Sequence, residues 1–178
     1  MGHPRQQLMR VMRSRGLLLA SLAVSLAAPL AAAENPVRSE ADAYALHTLA
    51  IPDEAFLEVG ALAWLPGDRL AVGTRRGEIW IVEHPAADEP RWSHFAHGLH
   101  EVLGLAWKVD AAAGQGGGWL YATHRPEVSR LADADGDGVA DRFETVADGW
   151  GVSGDYHEYA FGSKFDANGD IWVALCLT

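Results

Sequence analysis

The sequence predicts an all-β chain, a partial β-propeller with about three incomplete blades out of about six, on three observations. Asp68-Arg69-Leu70-Ala71-Val72, Gly118-Trp119-Leu120-Tyr121-Ala122 and Gly169-Asp170-Ile171-Trp172-Val173 are each a turn followed by an apolar run, and their aligned residues Leu70, Leu120 and Ile171 stand 50 and 51 positions apart. The residues behind the first two runs also match, since Thr74-Arg75-Arg76-Gly77-Glu78-Ile79-Trp80 parallels Thr123-His124-Arg125-Pro126-Glu127-Val128-Ser129. After residue 33 no sustained helical period exists, Ala41 to Leu49 being the nearest and short. Short strands repeating at such a period are the mark of propeller blades. A β-sandwich is the competing architecture, but it gives no reason for the matched Thr-x-Arg-x-Glu positions.

The elements follow in chain order. Residues 1–33 read as an export signal: Arg5, Arg10, Arg13 and Arg15 precede an apolar run from Gly16 to Leu30, which closes on Ala31-Ala32-Ala33 before Glu34. The run is short for a membrane span. Without a consecutive arginine pair, general secretion is favoured over folded export, and the expected location is periplasmic or extracellular. Residues 34–43 are then a linker, and 44–178 the N-terminal part of a propeller truncated at its C-terminus, expected to be poorly soluble and inactive alone because an unclosed propeller exposes strand edges. Each repeat begins with a second apolar stretch, at Val59 to Trp64, Val102 to Trp107 and Tyr159 to Phe165, so each is a pair of strands. The joining turns are Pro66-Gly67-Asp68, the longer Asp110 to Gly118, and Asp166-Ala167-Asn168-Gly169. Within the longer turn, Ala111 to Gly117 reads as a flexible spacer.

Composition narrows the class. With 49% hydrophobic and 21% charged residues and a single cysteine, the 178-residue chain is neither disordered, nor collagen-like, nor stapled by disulfides. Removing residues 1–33 removes four arginines and no acid, which moves the formal net charge from −10 to −14. So acidic a surface argues against nucleic acid and anionic membranes as partners. Cys176 stands in the run Ile171 to Leu177 and reads as a small buried hydrophobe.

The most specific motif is Asp133-Ala134-Asp135-Gly136-Asp137-Gly138-Val139-Ala140-Asp141-Arg142-Phe143-Glu144. It has the D-x-D-x-D-G spacing, followed five residues later by Glu, of a calcium loop. Asp133, Asp135 and Asp137 can converge on a hard cation, Val139 offers its carbonyl, Asp141 a carboxylate or bound water, and Glu144 a bidentate closure. The bland alternative is a solvated acidic turn. Paired helices do not flank the motif, since Glu127 to Leu131 reads as a strand, so a sensor is not expected. A structural ion pinning a loop between blades is.

Two clusters are candidates for chemistry. In Ser153-Gly154-Asp155-Tyr156-His157-Glu158-Tyr159 a histidine lies just before a strand between two carboxylates, Asp155 and Glu158, which could orient it as a general base. In Gly98-Leu99-His100-Glu101-Val102, two polar residues interrupt an apolar approach to a strand, either facing a central channel or capping loose backbone donors. Arg75, Arg76 and Arg125 stand at strand ends, where they could meet an acidic ligand or, as the default, pair with Glu78 and Glu127. No G-x-S-x-G elbow, phosphate loop, haem-attachment or zinc-protease motif is present.

The order of these motifs, from Gly98-Leu99-His100-Glu101 through Thr123 to Glu127 and the Asp-rich loop to Asp155-Tyr156-His157-Glu158-Tyr159 and Asp166 to Trp172, resembles secreted propellers related to the pyrroloquinoline-quinone (PQQ)-dependent glucose/sorbosone dehydrogenases. The nearest group looks like large bacterial propeller proteins described as membrane-bound dehydrogenases or haem-binding proteins, often followed by cytochrome c domains. The resemblance implies a sugar or small-alcohol substrate, PQQ as cofactor and electron transfer to a cytochrome c. It implies His157 as the base that removes the hydroxyl proton, at a slightly different spacing, and Glu101 where that family often has a Gln. The family's principal quinone-binding residues come from later blades. Two functions are therefore expected: an exported quinone-dependent sugar or alcohol dehydrogenase, with His157, Asp155, Glu158 and Glu101 as site residues, or a non-catalytic calcium-stabilised propeller that binds a glycan or protein or scaffolds cytochrome domains.

Overall fold

Short apolar runs broken by residues that accept left-handed backbone fold as hairpins, and the hairpins here join into sheets. The computed structural model describes residues 39–154 and 157–176. The signal segment, residues 34–38 of the expected linker, and Asp155 lie outside the described residues. The chain divides into two units, residues 1–44 and 45–178. In the first, the described part of the linker carries a single helical turn, α1 (Glu40–Ala43), in which the Ser39 N–H and hydroxyl both donate to Asp42 Oδ2 at 2.9 Å.

The second unit is all-β, with three antiparallel sheets of four, four and two strands. Strands β1 (Val59–Leu65), β2 (Arg69–Thr74), β3 (Ile79–Glu83) and β4 (Arg91–Ala96) form the first, in that order. Strands β5 (Gly104–Val109), β6 (Gly118–His124), β7 (Glu127–Ala132) and β8 (Arg142–Ala147) form the second. The third is the hairpin of β9 (Tyr159–Phe165) and β10 (Ile171–Cys176). The strand pairs read from the sequence are β1–β2, β5–β6 and β9–β10, and the first turn uses left-handed backbone at Gly67 and Asp68 (φ +79° and +54°).

Two local expectations need correction. Ala111 to Gly117 is not a loose spacer: Ala111–Ala113 is a 3-10 turn capped by Asp110, Ala113 is fully buried, and the Gln115 and Gly116 N–H groups donate to Ala134 O and Asp133 O at 3.0 and 2.9 Å. Its glycines allow this backbone-to-backbone contact, since a Cβ on Gly114 would stand 2.6 Å from Ala134 backbone atoms. Cys176 is exposed rather than buried. It ends β10, which pairs with β9 on one side and with no strand on the other among the described residues.

The sheets are stacked. Leu65, Ala71, Ile79, Ile81 and Phe95 of the first sheet pack against Leu105, Leu120, Ala122 and Leu131 of the second in one cluster. The far side of the second sheet, through Trp119, Tyr121 and Val128, takes Phe165, Ile171 and Val173 of the hairpin. The far side of the first, through Val72, Trp80 and Val82, is covered by Leu49, Ala55 and Leu57. Each large side chain withdrawn from water in this way contributes about 1.5–3 kcal/mol before the entropy of ordering.

Strands β1, β5 and β9 lie at the closest approach between successive sheets. A Cβ on Gly60 would fall 2.4 Å from Val102 O, and one on Gly104 only 2.0 Å from Gly162 O, while the Gly162 N–H donates to Leu103 O at 3.1 Å. These strands carry triplets at equivalent places, Leu62-Ala63-Trp64 and the identical Leu105-Ala106-Trp107, with Ser163-Lys164-Phe165 sharing only the final aromatic, and the three triplets together line one open groove of about 410 Å³.

Candidate functional site

Polar residues gather at the end where β1, β5 and β9 begin. The connection from β4 to β5, residues 97–103, crosses from the first sheet to the second and is bonded to both. The Leu99 N–H donates to Gly77 O and the Val102 N–H to Thr74 O, each at 3.1 Å, while the Leu103 N–H donates to Thr123 O at 3.0 Å and the Arg125 N–H to His100 O at 2.8 Å. Gly77 is required under this crossing, because its φ is +82° and a Cβ there would sit 1.8 Å from Leu99 O. Held from both sides, Glu101 adopts left-handed backbone (φ +56°), a conformation that costs a non-glycine residue about 1–2 kcal/mol.

That backbone turns the Glu101 carboxylate between two arginines. Arg75 Nη2 donates to Glu101 Oε1 at 3.0 Å, and Arg125 Nη1 lies 3.5 Å from Oε2. The first arginine comes from the β2–β3 turn and the second from the β6–β7 turn, so one carboxylate ties two sheets together. The Glu101 and Arg125 side chains are 15% and 16% exposed, that of Arg75 45%. The hydrogen bond to Glu101 is the largest cause raising the Arg75 pKa further above its ordinary range. Both guanidiniums also lie near the Tyr159 ring, at 6.0 and 5.4 Å from its centroid. Arg75 thus takes Glu101 in place of its default partner Glu78, and Arg125 faces the same carboxylate. Glu78 instead accepts the Trp80 indole N–H at 3.1 Å, and Arg76 stacks over Phe56 at 5.1 Å.

Of the residues expected to act with His157, the structure describes Glu158 and Glu101. His157 is exposed, two residues ahead of Tyr159. The Glu158 carboxylate accepts the Ser153 N–H at 3.1 Å and the Ser153 hydroxyl. Arg75 and Arg125, which hold Glu101, also approach the Tyr159 ring at the start of β9.

A neighbouring network was not anticipated from the sequence. His124, 5% exposed at the end of β6, contacts Ser129 Oγ through Nε2 at 2.9 Å and accepts the His100 N–H at Nδ1 at 3.4 Å. Ser129 donates to Glu127 Oε1, and Thr145 donates to Glu127 Oε2 at 3.1 Å. Nδ1 accepts, so the imidazole proton sits on Nε2. Burial holds the His124 pKa below its ordinary value, outweighing the attraction of Glu127. The only sequence signal was the alternation of His124, Glu127 and Ser129 across a tight hairpin.

The acidic loop lies between β7 and β8. Asp133, Asp135 and Asp137 each present a carboxylate oxygen within 4.8 Å of the others. The Asp133 oxygens also accept the N–H groups of Gly136 at 2.6 Å and Gly138 at 3.0 Å. A hard dication suits this oxygen-only set. The other expected ligands are placed differently: Asp141 accepts the Ala134 N–H at 2.8 Å, Val139 donates its N–H to Asp137 at 2.8 Å, and Glu144 is held by Arg130 at 2.5 Å and Arg142 at 2.7 Å. The loop is also tied to the first sheet, since the Ala140 N–H donates to Phe95 O at 2.8 Å.

Arg75 and Arg125, the guanidiniums gathered at this end of the sheets, both face Glu101. Among the described residues no helix is long and apolar enough to cross a membrane. No family model matches the chain, and no curated protein or solved structure matches it either.

Proposed function

We propose that residues 45–176 are successive blades of an exported β-propeller and that the Arg75–Glu101–Arg125–Tyr159 cluster is the mouth of a binding site for a carbohydrate or small alcohol. The observation that carries this reading is the meeting, at one end of three stacked sheets, of an aromatic ring with a carboxylate and two guanidiniums. A ring offers an apolar face to sugar C–H groups, and fixed charged donors and acceptors orient hydroxyls. The triplets on β1, β5 and β9 support the propeller, because inner strands of successive blades line a shared channel. Calcium at Asp133, Asp135 and Asp137 would stiffen the bridge between the first two sheets, in keeping with the hydrogen bond from Ala140 to Phe95.

Calorimetric titration of the chain with neutral mono- and oligosaccharides in millimolar calcium tests the reading. Saturable heat that disappears in Tyr159→Ala is expected, and absence of binding across that series rejects it. A second reading, oxidation of the bound alcohol with His157 as base, in which PQQ would take up the hydride and a cytochrome c would then accept the electrons, is favoured by the place of His157 two residues before Tyr159 in the chain. Dye-linked turnover with added PQQ and calcium checks it, and turnover undiminished in His157→Ala overturns it.

A further inference from the structure

We propose that His124 is a proton-operated latch on the crossing of residues 97–103, holding Glu101 between its arginines only while the imidazole is neutral. Glu101 has no element of its own. Its left-handed backbone persists because its neighbours are bonded on both sides, and the residue before it, His100, spends its N–H on His124 Nδ1. The chain of donors runs in one direction, from the His100 N–H to His124, from His124 Nε2–H to Ser129, and from Ser129 to Glu127. A second proton on the ring belongs on Nδ1, where it would face the His100 N–H, donor against donor.

Every group facing the ring bears on the outcome. From β7, Glu127 lies 3.5 Å from Nε2 and favours the imidazolium, but its two oxygens already take Ser129 and, from β8, Thr145. From the crossing come the His100 backbone and ring, the latter opposing a charge on His124. The adjoining turn contributes Arg125, already set on Glu101. With the ring 5% exposed, desolvation adds to the donor clash.

The sign follows. A histidine whose pKa is lower when buried costs nothing above its ordinary pKa of about 6.5, and below that value protons favour any state in which the ring is released. The latch therefore closes above about pH 6.5 and loosens progressively in acid. The consequence for sugar binding rests on the mouth proposed above, whereas the latch itself does not.

Nuclear magnetic resonance of the whole chain separates the two. The His124 ring signals are expected to titrate below about pH 6.5, with the His100 amide shift following the same midpoint. Amide protection of His100, Glu101 and Val102, corrected for intrinsic exchange, should fall about tenfold for each pH unit that protons favour the released ring. In His124→Gln, whose carboxamide can accept and donate without titrating, that protection should persist in acid. A His124 midpoint at or above about 6.5, a His100 amide insensitive to the His124 titration, or an unchanged acid loss in His124→Gln each overturns the latch. If His124→Gln does not fold, the wild-type titration alone decides. A working latch without sugar binding would reject the mouth and leave the latch standing.

Discussion

Glu101 and Glu144 are each held by two arginines, and the resemblance ends there. Glu144 lies within one sheet, opposite Arg130 in the β7–β8 ladder. Arg130 and Arg142 also stack on Trp119, at 4.3 and 4.6 Å from its ring. Strand pairing has already brought these groups together, so the ion pairs add little that the ladder does not fix. Glu101 lies between sheets, on strained backbone, and its arginines come from turns 50 residues apart in sequence. Its ion pairs help set how one sheet meets the next. The same chemistry is a surface detail in one place and a joint in the other.

The largest break in this contrast is expected where sheets touch through backbone alone. Gly104→Ala would place a methyl group 2.0 Å from Gly162 O, and neither strand can yield without disturbing its own ladder. We expect a loss of about 3 kcal/mol or more, read as a drop in the denaturant midpoint. A near-neutral result would mean that the second and third sheets are free to slide apart. Next comes Glu101→Gln. Removing one partner of a fully buried pair costs about 3–5 kcal/mol, but Arg75 is nearly half exposed, so solvent screening reduces the expectation to about 1–3 kcal/mol. Arg75→Ala should cost less than Arg125→Ala, since Arg125 is the more buried.

What the sequence disclosed follows the same division. Strands β1, β2, β5, β6, β9 and β10 were legible because apolar runs and turn residues such as Gly67 and Gly169 are local signals. The stacking of the sheets was legible only as a repeat. The partners of Arg75 and Arg125 were not legible, because they depend on Glu101 adopting a backbone region that glutamate rarely visits. Nor was the order of the Ala111 to Gly117 tip, since Gly-rich composition describes a flexible linker and a close backbone contact equally well. The acidic loop was read from spacing, which brought together its first three aspartates. Spacing says nothing of Arg130, which reaches Glu144 across the ladder.

That loop supplies the third expectation, intermediate because it bridges the two sheets through the bond from Ala140 to Phe95. If calcium binds Asp133, Asp135 and Asp137, a free concentration of about one hundred times the dissociation constant would stabilise the fold by about 2.7 kcal/mol. Melting temperature should rise with calcium and fall on chelation, and Asp133→Asn should abolish most of the response. Equal melting with and without calcium would reduce the loop to a solvated acidic turn, leaving the joint between these sheets to Glu101 and the packed core.

The smallest effect is expected at Glu144. Hydrogen bonds from Arg130 and then Arg142 hold its pKa below the ordinary glutamate value of 4.5. A depressed carboxylate contributes above the unfolded pKa, and that contribution is lost as pH falls through the lower folded value. Glu144→Gln should therefore melt slightly below wild type near neutral pH, and the two curves should converge in acid, at or below the ordinary glutamate range. Salt should shrink the neutral-pH difference as well, because the pair is partly open to solvent. A loss in Glu144→Gln as large as that in Glu101→Gln would erase the distinction between a glutamate within a sheet and one between sheets. It would make the stack of arginines on Trp119, rather than the ladder beneath it, the element that Glu144 holds in place.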